Sequence, residues 1–382
     1  MHISKVLPPD LISQTLSAAE EFHSKHKPKS ELTYTLQFGQ KEAHLADLPP
    51  SFSNLLHNHI NSHIFPLIKS ALPLSYQANL NIRDSIIIQY DATKQPSLGQ
   101  PMHADKSTIS VNIALSPPTS FTGGGTFFPD LLPTSQNPVV LPSSLGSGII
   151  HLSSRRHAGV SLSSGVRSIL VIFIDLIDSP LHQALELQSE ASALIRSSKH
   201  APAIDLLTKS LSLHPLDPTA YHLRSACHLS LRSPDLALTD CLKAAELSPN
   251  DARIRNDLGV ALQKKGDEEG ARRAWREAIR LFDEYNNHGC IPAIEGVSSR
   301  LNLAVSISYL DDFSGAVSLL ERAAELVEES CLEVPAKLKN DVEEMLVFCK
   351  KVRMGLGKKS TVILTAAILI PSSSLESCKS QS

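Results

Sequence analysis

Alternation of apolar and polar positions marks three stretches in the first half of the chain. They read NLNIRDSIIIQY, STISVNIALS and VRSILVIFID, and β-branched residues are prominent in each of them. Between them lie breaks rich in Gly and Pro, SPPTSFTGGGTFFPD and LPSSLGSGIIHL. Short alternating strands separated by such turns predict a β-sandwich or a barrel-like roll.

Helical periodicity precedes these strands. Residues 9–27 carry apolar side chains at helical spacing, and Pro9 and Asp10 suit a first helical turn. Ser51 is a candidate N-cap for a second helix. The apolar face of that helix would comprise Phe52, Leu55, Leu56 and Ile60. We expect the two helices to back one sheet of the strand-rich region.

From about Leu181 the alternating pattern stops, and a helical pattern dominated by Ala and Leu takes over. This second half is similar to itself at a step of 34 residues. The repeated positions are Ala203, Ala237 and Ala271, then Leu207, Cys241 and Trp275, and then Ser210, Ala244 and Ala278. A fourth unit, displaced by about eleven residues, repeats the pattern with Leu303, Ala304, Ala316 and Ala323.

This periodic pattern resembles the tetratricopeptide repeat family over roughly residues 182–330. Small residues at repeated positions let paired helices touch, and a last helix at roughly 336–354 would cap the array. Trp275 and Tyr221 fall at packing positions of the repeats, which favours a place in the core for both. The resemblance implies an all-α solenoid that binds a protein or peptide partner.

Composition narrows the classes of partner and site. The 382 residues are enough for two or three domains, and the net charge of −3 gives no indication of a nucleic-acid partner. All six cysteines lie in the second half without a CxxC pair, so neither a zinc site nor a disulfide framework is predicted. Buried structural thiols in a reducing compartment are expected instead.

The ends of the chain bear on its location. The first residues contain no apolar signal-peptide core, and the apolar run Val362–Ile370 is too short to span a bilayer. Residues 356–382 include a Ser-rich stretch that is typical of disorder. We therefore expect no membrane span and a cytoplasmic location, with the nucleus as an alternative.

Candidate metal chemistry is concentrated in HADKSTISVNIAL. His103 and Asp105 are separated by one residue before a predicted strand, and His157 follows Asp105 by 52 residues. If these side chains enter one barrel, two imidazoles and one carboxylate bind one face of a metal and leave other positions open, as in non-haem Fe(II) oxygenases. Arg167, ten residues after His157, would need an anionic partner in an apolar barrel. A dicarboxylate would satisfy it with a bidentate contact.

Four segments in this order, QPSL, HADKSTISVNIAL, FTGGGTFF and HAGVSLSSGVRSILVIFID, resemble the catalytic domain of procollagen lysyl hydroxylases and, more loosely, of prolyl 4-hydroxylases. The resemblance covers about residues 80–176 and implies the double-stranded β-helix of Fe(II)/2-oxoglutarate dioxygenases. The Fe(II) ligands that it implies are His103, Asp105 and His157. It also implies that Arg167 holds 2-oxoglutarate, that Tyr90 is a second contact, and that L-ascorbate restores the reduced metal. Prolyl hydroxylases carry Lys at the place of Arg167, so the pocket is closer to the lysyl type.

Other motifs compete for these roles. His151 in GIIHLSS is an alternative third ligand, although the HAG context and the ten-residue step to Arg167 favour His157. A second group that could mimic a metal cluster comprises His57, His59 and His63. No acidic or Cys side chain is near them in sequence, which favours a solvated helix face. The Gly-rich Thr122–Thr126 lacks the Lys of a phosphate loop, and the resemblance implies that it is a tight turn near the site mouth.

These patterns together predict a multidomain chain. Residues 1–179 are expected to form an α+β jelly-roll dioxygenase domain with its core at 80–176, residues 180–355 the repeats with their capping helix, and residues 356–382 a tail. The expected function is hydroxylation of an unactivated C–H bond, in a protein side chain recruited by the repeats. A binding scaffold with an inactive barrel and an oxygenase of small molecules stay open as alternatives. Because no secretory signal is seen, collagen is disfavoured as the substrate.

Overall fold

The computed structural model describes residues 1–25, 40–71, 79–93, 99–132, 138–288, 290, 295–329 and 334–356. It forms two compact units, of which the first comprises Met1–Glu186 and the second begins at Leu187. The predicted domain boundary after residue 179 lies close to this division. The predicted tail, with its apolar run Val362–Ile370, lies outside the described residues except for Leu356.

Two antiparallel β-sheets dominate the first unit. In chain order the strands are β1 (His2–Ile3), β2 (Lys41–His44), β3 (Asn79–Ala92), β4 (Gln100–His103), β5 (Ile109–Ala114), β6 (Phe121–Gly123), β7 (Thr126–Phe127), β8 (Val139–Val140), β9 (Gly148–Leu152), β10 (His157–Gly159) and β11 (Leu162–Ile177). The larger sheet has the order β1-β9-β5-β11-β3-β2, with β6 also paired to β11, and the smaller sheet has the order β4-β10-β7-β8. From β8 to β11 successive strands alternate between the two sheets, so each sheet joins segments that are distant in sequence.

Three helices cover one face of the larger sheet. They are α1 (Pro9–Lys25), α2 (Pro50–His59) and α3 (Phe65–Ala71), and a π-helical turn joins the last two. Leu11, Leu56 and Ile60 are buried in one apolar core with Ile109 and Ile172 of the sheet. The expectation that leading helices back a sheet is confirmed, and burial of this apolar face is the main stabilising contribution to the unit.

The start of α2 differs from the sequence-based expectation. Pro49 occupies the N-cap position and Pro50 the first helical position, so Ser51 lies within the first turn and does not cap the helix. Proline suits the first helical position because its φ is already helical and its missing N–H needs no partner. Leu55, which was expected on the buried face, is 46% exposed, whereas Leu56 is buried as predicted.

Strand β11 separates the two faces of the larger sheet residue by residue. The residues on the helix-backed side are Leu170, Ile172 and Ile174. The residues of the opposite side are Ile169 and Val171, which cluster with Ile88 and Tyr90 of β3. Arg167 has the same strand parity as Ile169 and therefore belongs to the opposite face, as the alternation predicted. One face thus holds the unit together, and the other is available to a site.

The remaining helices form the repeat region. They are α4 (Pro180–Arg196), α5 (His200–Leu213), α6 (Pro218–Ser230), α7 (Pro234–Leu247), α8 (Ala252–Lys264), α9 (Glu268–Asn287), α10 (Glu295–Ser308), α11 (Phe313–Glu329) and α12 (Ala336–Arg353). From α5 onward each helix packs against the next, and the predicted last helix packs on α11. Every position repeated at the 34-residue step, from Ala203 to Ala278, is fully buried. The periodicity therefore marks the contacts that join the helices.

The turn within a repeat unit follows the same step. Ser198, Arg232 and Gly266 stand 34 residues apart, and their φ angles are 58°, 56° and 85°. Only glycine adopts this left-handed conformation without steric cost. The structural repeat therefore includes this turn. The sequence indicates it only at Gly266, because serine and arginine are not typical of a left-handed conformation.

Four cysteines of the second half are buried, as the sequence predicted for structural thiols. Cys227, Cys241, Cys290 and Cys349 are buried free cysteines. Burial raises the pKa of Cys227 and of Cys290 to about 12, so both thiols are protonated and unreactive at neutral pH. Cys331 and Cys378 lie outside the described residues. Within the described part of the chain, no helix combines the length and apolar character that a bilayer crossing requires.

Gly259 on α8 makes room for the fully buried indole of Trp275 on α9. A Cβ atom at Gly259 would lie 2.4 Å from Trp275 Nε1, which donates a hydrogen bond to Asn256 O at 3.1 Å. This clash outweighs the helix preference of Ala over Gly, which is about 1 kcal/mol. We expect Gly259→Ala to lower the free energy of unfolding by about 1–3 kcal/mol in urea denaturation. The smaller ring of Trp275→Phe should recover part of the loss, and unchanged stability of the single variant would contradict the prediction.

The first turn of α4 completes the core of the first unit. Leu181 is buried in the helix-backed core, Leu185 packs against it, and the His182 N–H donates to Ser179 Oγ at 3.0 Å. We expect a fragment of residues 1–186 to be more stable than one of residues 1–179 by about 2–3 kcal/mol, the contribution of one buried leucine. Urea denaturation followed by circular dichroism measures the difference. Leu181→Ala in the longer fragment is the matched control, and equal stability of the two fragments would show that α4 is dispensable.

Candidate metal centre

Two strands of the smaller sheet bring the predicted ligands together. His103 ends β4, His157 begins β10, and the two residues are directly paired across the antiparallel ladder. Asp105 follows β4 by two residues, and its backbone N–H donates to Ser153 O at 2.9 Å. One ligand atom from each of His103, Asp105 and His157 lies within 4.8 Å of the others. We call these three side chains the triad.

Hydrogen bonds to the backbone fix the orientation of both imidazoles. His103 Nδ1 donates to Pro101 O at 2.7 Å. His157 Nδ1 donates to Arg155 O at 2.9 Å. Because a carbonyl oxygen only accepts, the proton of each neutral ring lies on Nδ1 and leaves a lone pair on Nε2. The lone pairs face Asp105, with His103 Nε2 at 3.4 Å from Oδ1 and His157 Nε2 at 3.6 Å from Oδ2. Acceptors that converge in this way repel one another unless a cation lies between them.

Burial and charge set the protonation of the triad. Burial lowers the pKa of His157 to about 3, and the imidazole of His103 acts in the same direction. Burial raises the pKa of the Asp105 carboxyl, but the neighbouring imidazoles of His103 and His157 and the hydrogen bond from Ser110 lower it more, so that it lies below its ordinary value. A neutral imidazole and an ionised carboxylate are the forms that bind a divalent metal.

His151, the alternative third ligand, lies on β9 outside the converging group. Its ring packs edge-on against His157 with 4.7 Å between the centroids, and its Nδ1 bonds Leu152 O at 3.0 Å. His59 and His63 stack at 4.2 Å. Among the described residues, however, the triad is the group of His, Cys, Asp and Glu side chains whose ligand atoms converge. His151 is therefore a neighbour of His157 rather than a member of the triad.

Arg167 lies on the face of the larger sheet that the helices leave free, and it is paired with Tyr90 of β3. Its side chain is buried, with the guanidinium carbon 5.4 Å from the centre of the Tyr90 ring. Burial lowers the pKa of Arg167 and raises the pKa of Tyr90 to about 12. Within the described residues no carboxylate contacts this guanidinium. Among these residues, the buried charge therefore has no anionic partner that would offset the cost of its desolvation.

The Gly-rich segment between β6 and β7 packs on the stem of Arg167. Gly123, Gly124 and Gly125 have φ angles of 82°, 70° and 114°, which glycine adopts freely. A Cβ atom on Gly124 would lie 3.2 Å from Arg167 Cδ. The predicted tight turn is instead a short crossing from β6 in the larger sheet to β7 in the smaller sheet, and any side chain at Gly124 would crowd the arginine.

Ser110 of β5 links the triad to the larger sheet, and sequence reasoning missed it. Its hydroxyl donates to Asp105 Oδ2, and its partner in the register of β11 is Phe173. This parity places Ser110 on the same sheet face as Arg167. In the sequence, Ser110 stands out only as a serine in an alternating strand, five residues after Asp105. Serine is equally common at strand positions that face solvent, so this pattern does not identify a residue of the site.

A family model of the tetratricopeptide repeat matches residues 252–282, which span α8 and most of α9. The heat shock protein sti1 homolog of Schizosaccharomyces pombe is 30% identical over 123 residues, which are 32% of this chain and 20% of that protein. Hsc70-interacting protein 1 of Drosophila melanogaster is 32% identical over 108 residues, which are 28% of this chain and 29% of that protein. The first TPR of Spaghetti (RPAP3) bound to the HSP90 peptide SRMEEVD is similar over 34% of this chain and 94% of that one, with 20% identity and a TM-score of 0.30.

The family model and the curated relatives show that the chain contains tetratricopeptide repeats, as its 34-residue periodicity predicted. The chain spans less than a third of the length of these two curated relatives.

Proposed function

We propose that the chain is an Fe(II)- and 2-oxoglutarate-dependent dioxygenase that hydroxylates an unactivated C–H bond of a protein side chain recruited by its repeats. The observation that carries the proposal is the convergence of two imidazoles and one carboxylate within 4.8 Å. Two histidines and one carboxylate that leave other positions open are the ligand set of non-haem Fe(II) oxygenases.

The triad fits a divalent metal in its orientation and its charge. The backbone carbonyls hold each Nδ1, the Nε2 lone pairs face inward, and Asp105 is ionised. Such outer hydrogen bonds orient metal-binding imidazoles and raise their basicity. Fe(II) held by His103, Asp105 and His157 would supply the oxygen chemistry, with L-ascorbate as the reductant that maintains it.

Arg167 supplies the second half of the proposed site. Its guanidinium offers a planar fork to a carboxylate, and burial strengthens the contact because water does not compete. We assign it the carboxylate of 2-oxoglutarate that is distant from the metal, with Tyr90 as the second contact. The lysine that prolyl hydroxylases carry at this place would give a point charge without the planar fork. The presence of arginine therefore favours a co-substrate pocket of the lysyl type over one of the prolyl type.

The alternation of strands between two sheets supports a double-stranded β-helix as the finer description of the first unit. In this description the helix-backed face of the larger sheet is structural, and the face with Tyr90, Ser110 and Arg167 turns toward the smaller sheet. The link from Ser110 to Asp105 agrees with that arrangement because it joins the larger sheet to the segment after β4.

Turnover of 2-oxoglutarate tests the proposal directly. The full chain, supplied with Fe(II), 2-oxoglutarate, oxygen and ascorbate, is expected to release succinate, and added peptides are expected to gain one oxygen atom in mass spectrometry. Omission of Fe(II) and the variant Asp105→Ala are the controls. Succinate release that does not depend on Fe(II), or no release at all, would overturn the proposal.

A protein-binding scaffold with an inactive barrel is the second candidate. It is favoured by the names of the matched relatives, a sti1 homolog and an Hsc70-interacting protein. In both candidates the repeats bind a peptide of a partner protein. Fluorescence polarisation with labelled SRMEEVD, against a scrambled control, measures binding by the full chain. Peptide binding without Fe(II)-dependent succinate would establish the scaffold, and Fe(II)-dependent succinate would exclude an inactive barrel.

A further inference from the structure

A row of buried hydroxyl groups leads to the carboxylate of the triad. Ser110 Oγ donates to Asp105 Oδ2. Ser110 Oγ and Ser153 Oγ are 2.8 Å apart, and Ser153 Oγ and Ser107 Oγ are 2.7 Å apart. All three serines are at most 1% exposed. Because bulk water does not reach these groups, their order is set by the protein.

The number of available protons determines which hydroxyl of this row donates and which accepts. Each hydroxyl carries one proton, and the ionised Asp105 only accepts, so the proton of Ser110 is committed to Oδ2. Ser110 can then only accept from Ser153, whose proton points toward the carboxylate. Ser107 is left to donate to Ser153 or to Ile109 O at 3.1 Å. Hydroxyls aligned head to tail polarise one another, which strengthens the last bond on Asp105.

Hydrogen bonds between backbone groups fix the main chain that carries this carboxylate. The Asp105 N–H donates to Ser153 O at 2.9 Å, and the Ser153 N–H donates to Thr108 O at 3.1 Å. Each oxygen of Asp105 faces one imidazole, with Oδ1 at 3.4 Å from His103 Nε2 and Oδ2 at 3.6 Å from His157 Nε2. Among the described residues, however, no hydroxyl bonds to Oδ1. The two oxygens of one carboxylate are therefore unequal, because Oδ2 bears the hydroxyl row and Oδ1 does not.

We propose that Ser110 is a positioning residue that occupies Asp105 Oδ2 and thereby makes Asp105 a ligand through Oδ1 alone. This inference rests on the proposed function, because its benefit is a coordination position left open for 2-oxoglutarate. A carboxylate freed from Ser110 binds with both oxygens, takes up that position and competes with the co-substrate. Ser110 contacts neither metal nor co-substrate, and it acts through Asp105.

The variant Ser110→Ala tests this role in the full chain loaded with Co(II), whose visible absorption depends on the number and arrangement of its ligands. Ser110→Ala is expected to bind Co(II) at least as tightly as the parent chain but with an altered spectrum. Its Kd for 2-oxoglutarate should rise about tenfold, because the Ser110 hydrogen bond, at roughly 1.5 kcal/mol, no longer opposes binding of the second Asp105 oxygen in the position of the co-substrate. Ser107→Ala, which removes a hydroxyl that does not touch Asp105, is the matched control and should leave spectrum and affinity close to the parent values. Ser110→Thr keeps the hydroxyl and should restore both values even if the alanine variant is unstable.

The outcomes separate this inference from the proposed function. An unchanged spectrum and unchanged 2-oxoglutarate affinity in Ser110→Ala overturn the role of Ser110 and leave the oxygenase proposal intact. Equal losses of Co(II) affinity in Ser110→Ala and Ser107→Ala overturn it as well, because they indicate a purely structural effect. If the parent chain does not bind Co(II), the proposed function and the inference fall together.

Discussion

Replacement of His157 by alanine is expected to abolish binding of a divalent metal, whereas replacement of His151 leaves it nearly intact. The reason is that His157 Nε2 faces the Asp105 carboxylate, while His151 contacts the His157 ring from outside the converging group. We expect a loss of more than about a hundredfold for His157→Ala, because removal of only an outer hydrogen bond to a ligand already costs about 10–100-fold. Isothermal titration with Co(II) measures both variants.

His151→Ala is a matched control because both positions are buried histidines in contact with each other. His103→Ala and Asp105→Ala should lose the metal and 2-oxoglutarate turnover together. Retention of Co(II) by His157→Ala combined with its loss in His151→Ala would assign the third ligand to His151 and overturn the triad.

Loss of the Arg167 guanidinium should weaken 2-oxoglutarate binding without affecting the metal. Arg167 is buried beside Tyr90 and has no carboxylate partner among the described residues, so an anionic ligand would be its main source of stabilisation. We expect Arg167→Ala to raise the Kd for 2-oxoglutarate by about tenfold to a thousandfold, since a buried charged contact contributes roughly 1.5–4 kcal/mol. Titration of 2-oxoglutarate into protein saturated with Co(II) measures this change.

Two further variants keep the Arg167 result interpretable. Arg167→Lys retains a charge but not the planar fork, so its affinity should lie between those of the parent chain and Arg167→Ala. Tyr90→Phe retains the ring beside the guanidinium and tests the hydroxyl alone. Affinity for Co(II) should be unchanged in all three variants, and an unchanged affinity of Arg167→Ala for 2-oxoglutarate would refute the assigned co-substrate contact.

Strong periodicity allowed the repeat helices and the faces of the strands to be predicted from the sequence. The step of 34 residues identified positions such as Ala203 and Trp275 that are all fully buried, because each repeat must satisfy the same contacts with its neighbours. The alternation around Arg167 likewise assigned this residue to the correct face of β11, since side chains on a strand point to opposite sides in turn.

Features that depend on tertiary contacts could not be predicted from the sequence in this way. A serine before an apolar helical stretch was a reasonable cap, but Pro49 and Pro50 fix the start of α2 two residues earlier. Ser110 and Ser153 meet only when β5 and the segment after β9 come together, and no spacing rule connects two serines 43 residues apart. Arg232 occupies a left-handed turn that its residue type does not suggest, because the neighbouring repeats impose the conformation.

If the triad binds a metal as proposed, the direct pairing of His103 with His157 across β4 and β10 would couple the stability of the protein to the metal supply. A metal that binds only the paired strands stabilises them by mass action, by about 4 kcal/mol when its free concentration is 1,000 times its Kd. Without it, three converging acceptors oppose the same pairing. We therefore expect the smaller sheet to open more often in a metal-starved cell and to expose the chain to proteases there. The abundance of this protein would then follow the metal pool, with no separate sensor required.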